Sequence, residues 1–116
     1  ISDAVIKDYC ENNNSTMKIN SNDNVIWNCR KYIKGNIRIE ENATLTITCQ
    51  TAIPKDGYIE IHETGKLIID GGIITNTCGE KWRGTIVTGK QFSTEQMIQK
   101  GYIVLKNDGK IINYKR

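Results

Sequence analysis

Histidine is the residue type best suited to moving a proton near neutral pH, and this chain has one, His62. It lies two positions after Glu60 in Ile59-Glu-Ile-His62. In an extended strand that spacing puts both side chains on one face. Arg38 and Glu40 hold the same places in the earlier segment Ile37-Arg-Ile-Glu40. Pairing the two segments would set Glu40 near His62 and Arg38 near Glu60, a shallow patch with the parts of a general acid and base. The same alternation also makes an ordinary solvated face, whose cross-strand charge pairs contribute about 0.2–1 kcal/mol. The solvated face is the simpler reading. No catalytic residue is assigned, and the chain is not expected to be an enzyme.

Other reactive types are sparse. Arg83, between Trp82 and Gly84, could face a substrate in a groove, or bond loop carbonyls as a structural residue. Asp70 precedes Gly71 and Gly72. A calcium site needs several oxygen ligands at close spacing, so this acid reads as part of a tight corner. Cys10, Cys29, Cys49 and Cys78 are 19, 20 and 29 positions apart and include no C-x-x-C pair. Structural zinc sites present closer ligand pairs. No metal and no cofactor is expected. An even number of cysteines in a small β protein fits a disulfide framework and an oxidising compartment. Its three pairings stay open, with four free thiols as the alternative. Asn14-Ser-Thr16 and Asn42-Ala-Thr44 match glycosylation sequons.

Composition narrows the classes. The chain has 116 residues, a net charge of +3, one proline and ten glycines. Acids and bases are interspersed, and the longest basic runs are Lys115-Arg116 and Arg30-Lys31. That is no basic stripe, so no nucleic-acid partner is expected. No stretch approaches the ~18–20 apolar residues of a membrane span. The apolar residues are mostly isoleucine in short runs, which suits pleated strands. The class is all-β.

The elements that position these residues follow a repeat. Ile37–Ile47, Ile59–Ile69 and Ile103–Asn113 share one template. Two alternating apolar positions lead into a polar turn ending in Ala or Gly, and two more follow. Ile37 maps to Ile59 at a step of 22, and Ile59 to Ile103 at 44. A further coil is expected near Trp82–Gly89. Ile37, Ile39, Leu45 and Ile47 should face the core, with Arg38, Glu40, Thr44 and Thr46 outside. Gly65 and Gly109 should supply the left-handed turn conformation, with Asn42 replacing them beside Ala43. A constant step favours coils of equal circumference. The expected fold is a short right-handed parallel β-helix of about four coils with a ~22-residue repeat, and an antiparallel β-sandwich is the alternative. Residues 1–36 are assigned to an N-terminal cap and partial first coil, with Trp27 covering the open end or filling a corner. Residues 37–116 form the coils. Phe92–Lys100 is the one helix-compatible stretch, capped by Ser93 or Thr94, and reads as an excursion between coils.

The stretch from Trp27 to Gly89 resembles the parallel β-helix, pectin-lyase-like modules of large secreted and surface proteins from Bacteroidetes-type bacteria. Gly35–Ile39, Ala43–Ile47, Gly65–Gly72 and above all Trp82-Arg-Gly-Thr-Ile-Val-Thr-Gly89 carry the likeness. Family modules continue into further coils, whereas this chain stops at Arg116. The resemblance implies export to the medium or cell surface and a structural or adhesive role, and it brings no catalytic residues. One alternative is a carbohydrate-binding, lyase-like remnant that contacts acidic polysaccharide through Arg38, Lys66 and Arg83, with Trp82 beside them. Another is self-assembly, the uncapped C-terminal coil pairing with another protein or another copy.

Overall fold

The computed structural model describes residues 10–90 and 92–115. Short alternating runs closed by Asn, Asp or Gly turns give twelve strands among the described residues. The first level holds β1 (Ser15–Ile19), β2 (Asn24–Trp27) and β3 (Lys31–Tyr32), and the second β4 (Gly35–Ile39), β5 (Thr44–Ile47) and β6 (Gln50–Ile53). The third holds β7 (Tyr58–Ile61), β8 (Lys66–Asp70) and β9 (Ile73–Asn76). The last holds β10 (Gly84–Val87), β11 (Ile103–Lys106) and β12 (Lys110–Ile111), with helix α1 (Thr94–Gln99) spliced between β10 and β11.

The strands form three sheets of order β1-β4-β7-β10, β2-β5-β8-β11 and β3-β6-β9-β12. Every pairing between them is parallel. This is a parallel β-solenoid with turns near 22 residues. Three regular coils are followed by a fourth level that the helix interrupts. A sandwich of hairpins would need antiparallel pairs.

Alternation fills the core as expected. Ile37, Ile39, Leu45, Ile47, Ile59, Ile61, Leu67 and Ile69 are fully buried. They stack in columns, Ile37 on Ile59 and Leu45 on Leu67. Each such side chain contributes about 1.5–3 kcal/mol. Outward positions carry Arg38, Glu60, Thr44 and Thr46, which are half-buried at most.

The step is less constant than the sequence suggests. The first two levels are offset by 20 (Ser15↔Gly35, Asn24↔Thr44). The next two are offset by 22 (Ile37↔Ile59) and, past one inserted corner residue at Gly71, by 23 (Gln50↔Ile73). The alignment of Ile103 with Ile59 does not occur, because Ile103 pairs with Leu67 and Ile111 with Ile74. The template describes any corner of the coil, since each side alternates in the same way. Ile59–Ile69 turns from the first sheet to the second, and Ile103–Ile111 from the second to the third. The true first strand of the last level is Gly84–Val87, paired with Tyr58–Ile61.

The segment before Ile37 supplies three paired strands, hence a whole level rather than a partial one. Residues 1–9 of the expected cap lie outside the described residues. Trp27 is a buried core residue of this level.

Turn chemistry divides between two needs. Asn42 takes φ 58°, as expected, and Asn22 takes φ 67° one coil earlier. Gly65 and Gly109 are not left-handed, which corrects their expected role. Asn107 and Asp108 supply that conformation before Gly109. Gly109 is required for space: a Cβ there would lie 2.1 Å from the Ile69 carbonyl oxygen of the coil beneath.

Helix α1 closes one end of the core. Ser93 is its cap, accepting from the Gln96 N–H (3.1 Å) while the Gln96 side chain accepts from the Ser93 N–H (2.8 Å). Thr94 reaches inward-facing Thr85 of the last level, with the hydroxyls 3.0 Å apart in a buried contact. Met97 is fully buried against the same core. The last level is therefore covered, contrary to the expectation of an uncapped coil. The cap lies inside that coil rather than after it. Cover is incomplete, since core-facing Leu105 stays 40% exposed there and Met17 45% exposed in the first level.

One disulfide joins Cys10 to Cys78, Cα atoms 5.6 Å apart and 68 positions apart in sequence. It ties the segment before β1 to the loop after β9. Cys29 and Cys49 are free thiols.

Gly109→Ala should cost about 1–3 kcal/mol by overpacking. Gly79→Ala should be near neutral, because nothing lies within 4 Å of a Cβ there. Urea unfolding of both variants checks this, and equal effects would contradict the stacking clearance.

Candidate binding groove at the capped end

The loop between β9 and β10 carries Trp82 into the core. Its ring is 0% exposed, and its indole N–H donates to the Ile112 carbonyl at 2.8 Å. Its edge meets Tyr114 at 6.1 Å between centroids. The Lys115 N–H donates to the Trp82 carbonyl at 2.9 Å. Trp82 thus pins the segment Asn113–Lys115 beside β10. As a ligand contact it is unavailable, because no face of the ring reaches solvent.

Arg83 is next in the chain and is exposed, because Gly84, at φ 100°, breaks the alternation that would otherwise put it on the inward face of Thr85. Its backbone N–H donates to the Gly57 carbonyl at 2.8 Å, while its guanidinium lies 5.5 Å from the Tyr58 ring centroid. The side chain stacks on an aromatic face and makes no salt bridge among the described residues. Beside it a groove of about 560 Å³ runs between β10, the start of α1 and the Tyr114–Lys115 segment. Arg83, Ile86, Phe92, Glu95, Tyr114 and Lys115 line it.

The carboxylates here are engaged. The Tyr114 hydroxyl donates to Glu95 at 2.9 Å. Lys115 pairs with Asp56 at 3.0 Å and Lys55 with Glu80 at 3.1 Å. The Lys115 hydrogen bond and charge hold the Asp56 carboxyl below the usual carboxylate range. The Glu80 hydrogen bond and charge hold the Lys55 ammonium above its ordinary value, with Asp56 adding to this. Lys55, Glu80, Lys81 and Lys115 line an adjoining recess of about 260 Å³. Four cations, Lys55, Lys81, Arg83 and Lys115, therefore edge the capped end.

The other expected ligand contacts are elsewhere. Arg38 lies on the outer face of the first sheet, bridged to Glu40 at 3.2 Å and Glu60 at 3.5 Å. It shares that face with Arg83 but sits two levels away. Lys66 is exposed on the second sheet. The three cations do not form one cluster. Nδ1 of His62 meets the Thr64 hydroxyl at 2.9 Å and its N–H at 3.2 Å, so the ring braces its own turn. Among the described residues no group of three or more His, Cys, Asp or Glu could hold a metal ion. Tyr114, Lys115, Glu95 and Lys55 had no sequence signal pointing to a site, because stacking alone brings positions about 20–60 apart together.

No family model, curated protein or solved structure matches this chain. What the structure shows is the parallel β-solenoid fold itself.

The Asp56 carboxyl should titrate below an ordinary aspartate in an NMR titration, and Lys115→Ala should move it back up. The sign follows from the depressed value: the pair's contribution is present above the unfolded carboxyl value and lost as pH falls through the folded one. Added salt should shrink the shift at this exposed pair. Equal titration in both proteins would contradict the contact.

Proposed function

We propose that this chain is a non-catalytic β-solenoid module of an exported or cell-surface protein, and that the groove beside Arg83 holds an anionic glycan. The observation that carries the reading is the Arg83 guanidinium, stacked on Tyr58 and without a salt bridge among the described residues, its charge adding only the smallest of the pulls on Asp56. A guanidinium in that state offers its fork of N–H donors to a carboxylate or sulfate. Phe92 and Tyr114 add aromatic surface to the groove, suited to the apolar faces of sugar rings.

Chain cleavage would need an acid and a base free to move protons. Glu95 and Asp56 are instead held by a hydroxyl and an ammonium. That supports binding over turnover. The Cys10–Cys78 bridge suits an oxidising compartment, and so supports export. A pectin-lyase-like surface module of a Bacteroidetes-type bacterium is the context this reading favours.

Oligogalacturonate and sulfated oligosaccharides, titrated calorimetrically at low salt, test the proposal. Saturable binding is expected, weakened about tenfold, or ~1.4 kcal/mol, in Arg83→Ala and little changed in Arg38→Ala. Binding of neutral and acidic oligosaccharides alike, or of neither, would contradict it.

Partly exposed, core-facing Leu105 on β11, the last strand of its sheet, favours a second reading. There the chain self-associates by strand addition. Mass in solution that rises with concentration, and stops rising in Leu105→Lys, is its expected signature.

A further inference from the structure

Cys29 and Cys49 have no role in the fold or the groove described above. Their positions are fixed by register. On one side of their corner Trp27 pairs with Ile47, and on the other Lys31 pairs with Thr51, both at an offset of 20. Three residues fill the corner in each coil, 28–30 below and 48–50 above. With no insertion between the two pairings, Cys29 lies directly beneath Cys49. The Thr48 N–H donates to the Trp27 carbonyl at 3.0 Å, which carries the ladder into the corner.

Stacked parallel positions lie about 4.8 Å apart. That falls within the ~4.4–6.8 Å Cα separation a disulfide spans. Equivalent corners also send equivalent side chains in one direction. Cys29 is exposed and Cys49 partly so, hence solvent reagents reach the pair. On the far side of Cys49 the next coil places Gly72, where a Cβ would stand 2.5 Å from the Cys49 carbonyl oxygen. No side chain at that position competes for the Cys49 sulfur.

We propose that Cys29 and Cys49 are an oxidation site that closes into a second disulfide, stapling the first coil to the second. A small-molecule disulfide is the oxidant. The Cys29 thiolate attacks one of its sulfurs, forms a mixed disulfide and releases one small thiol. The Cys49 thiolate then attacks the Cys29 sulfur, forms the Cys29–Cys49 bond and releases the second small thiol. Both protein thiol protons leave to solvent or to the released thiolates. The protein loses two electrons and the reagent gains them. With Cys10–Cys78 in place, the first level would be held by two covalent links, one to the coil above and one to the loop after β9.

The test incubates the Cys10–Cys78-bonded chain with oxidised glutathione and reads intact mass, alkylatable thiols and non-reducing peptide maps. The expected product is lighter by about 2 Da, has no reactive thiol and yields a Cys29–Cys49 cross-linked peptide. Its thermal midpoint should rise by several degrees. Cys29→Ser should stop at a glutathione adduct on Cys49. A Cys29→Ser/Cys49→Ser variant with unchanged circular dichroism assigns that difference to the missing thiol rather than to misfolding. Glutathione retained on both cysteines of the unmodified chain would overturn the proposal. So would a chain-to-chain dimer as the product, or loss of about 2 Da in Cys29→Ser.

Discussion

Each coil must bring its backbone back to lie about 4.8 Å above the one before, because parallel strands hydrogen-bond only near that spacing. Most of the molecule follows from this. A column of identical inward positions becomes a column of touching isoleucines. Polar turns must close in the same place each time, so Asn22 and Asn42 adopt the left-handed conformation at equivalent corners. Where two coils approach most closely a side chain has no room, and Gly35 and Gly109 occupy those positions. The same constraint brings Arg38 against Glu60 and Cys29 beneath Cys49, pairs that no short-range motif links.

A stack held this way is weakest at its ends, where core-facing residues lose a neighbour. The chain treats the end after β12 with an inserted helix, a buried tryptophan and a returned C-terminal segment. Met97 covers the core, Thr94 satisfies Thr85, and Trp82 fixes Tyr114. These devices do not follow the repeat, so they leave an irregular surface. The groove beside Arg83 is a product of that irregularity. Regular faces of a solenoid are flat, and a concave site arises most readily where the repeat is broken.

The repeat was legible because alternation and turn residues are local signals. Ile37 through Ile47 show inward and outward positions directly, Asn42 reads as the left-handed turn residue, and the helix cap narrows to Ser93 or Thr94, of which Ser93 holds the place. What stayed hidden depends on which coils meet. The template at Ile103–Asn113 matches any corner, so spacing alone aligned it with the wrong sheet. A 44-residue interval looked like two even coils but contains the α1 excursion. Gly109 was assigned a backbone conformation when its real constraint is the Ile69 carbonyl one level below. Burial of Trp82, and the approach of Tyr114 and Lys115 to Arg83, depend on how the last level closes, which no local pattern records.

The register itself is the claim on which the rest stands, and backbone NOEs measure it most directly. Short Hα-to-amide contacts of the parallel type are expected between Ile37 and Ile59, between Leu45 and Leu67, and between Leu67 and Ile103. Strong Hα-to-Hα contacts between Ile37–Ile39 and Ile59–Ile61, or contacts joining Ile59 to Ile103, would show antiparallel or differently aligned strands and contradict the solenoid described here.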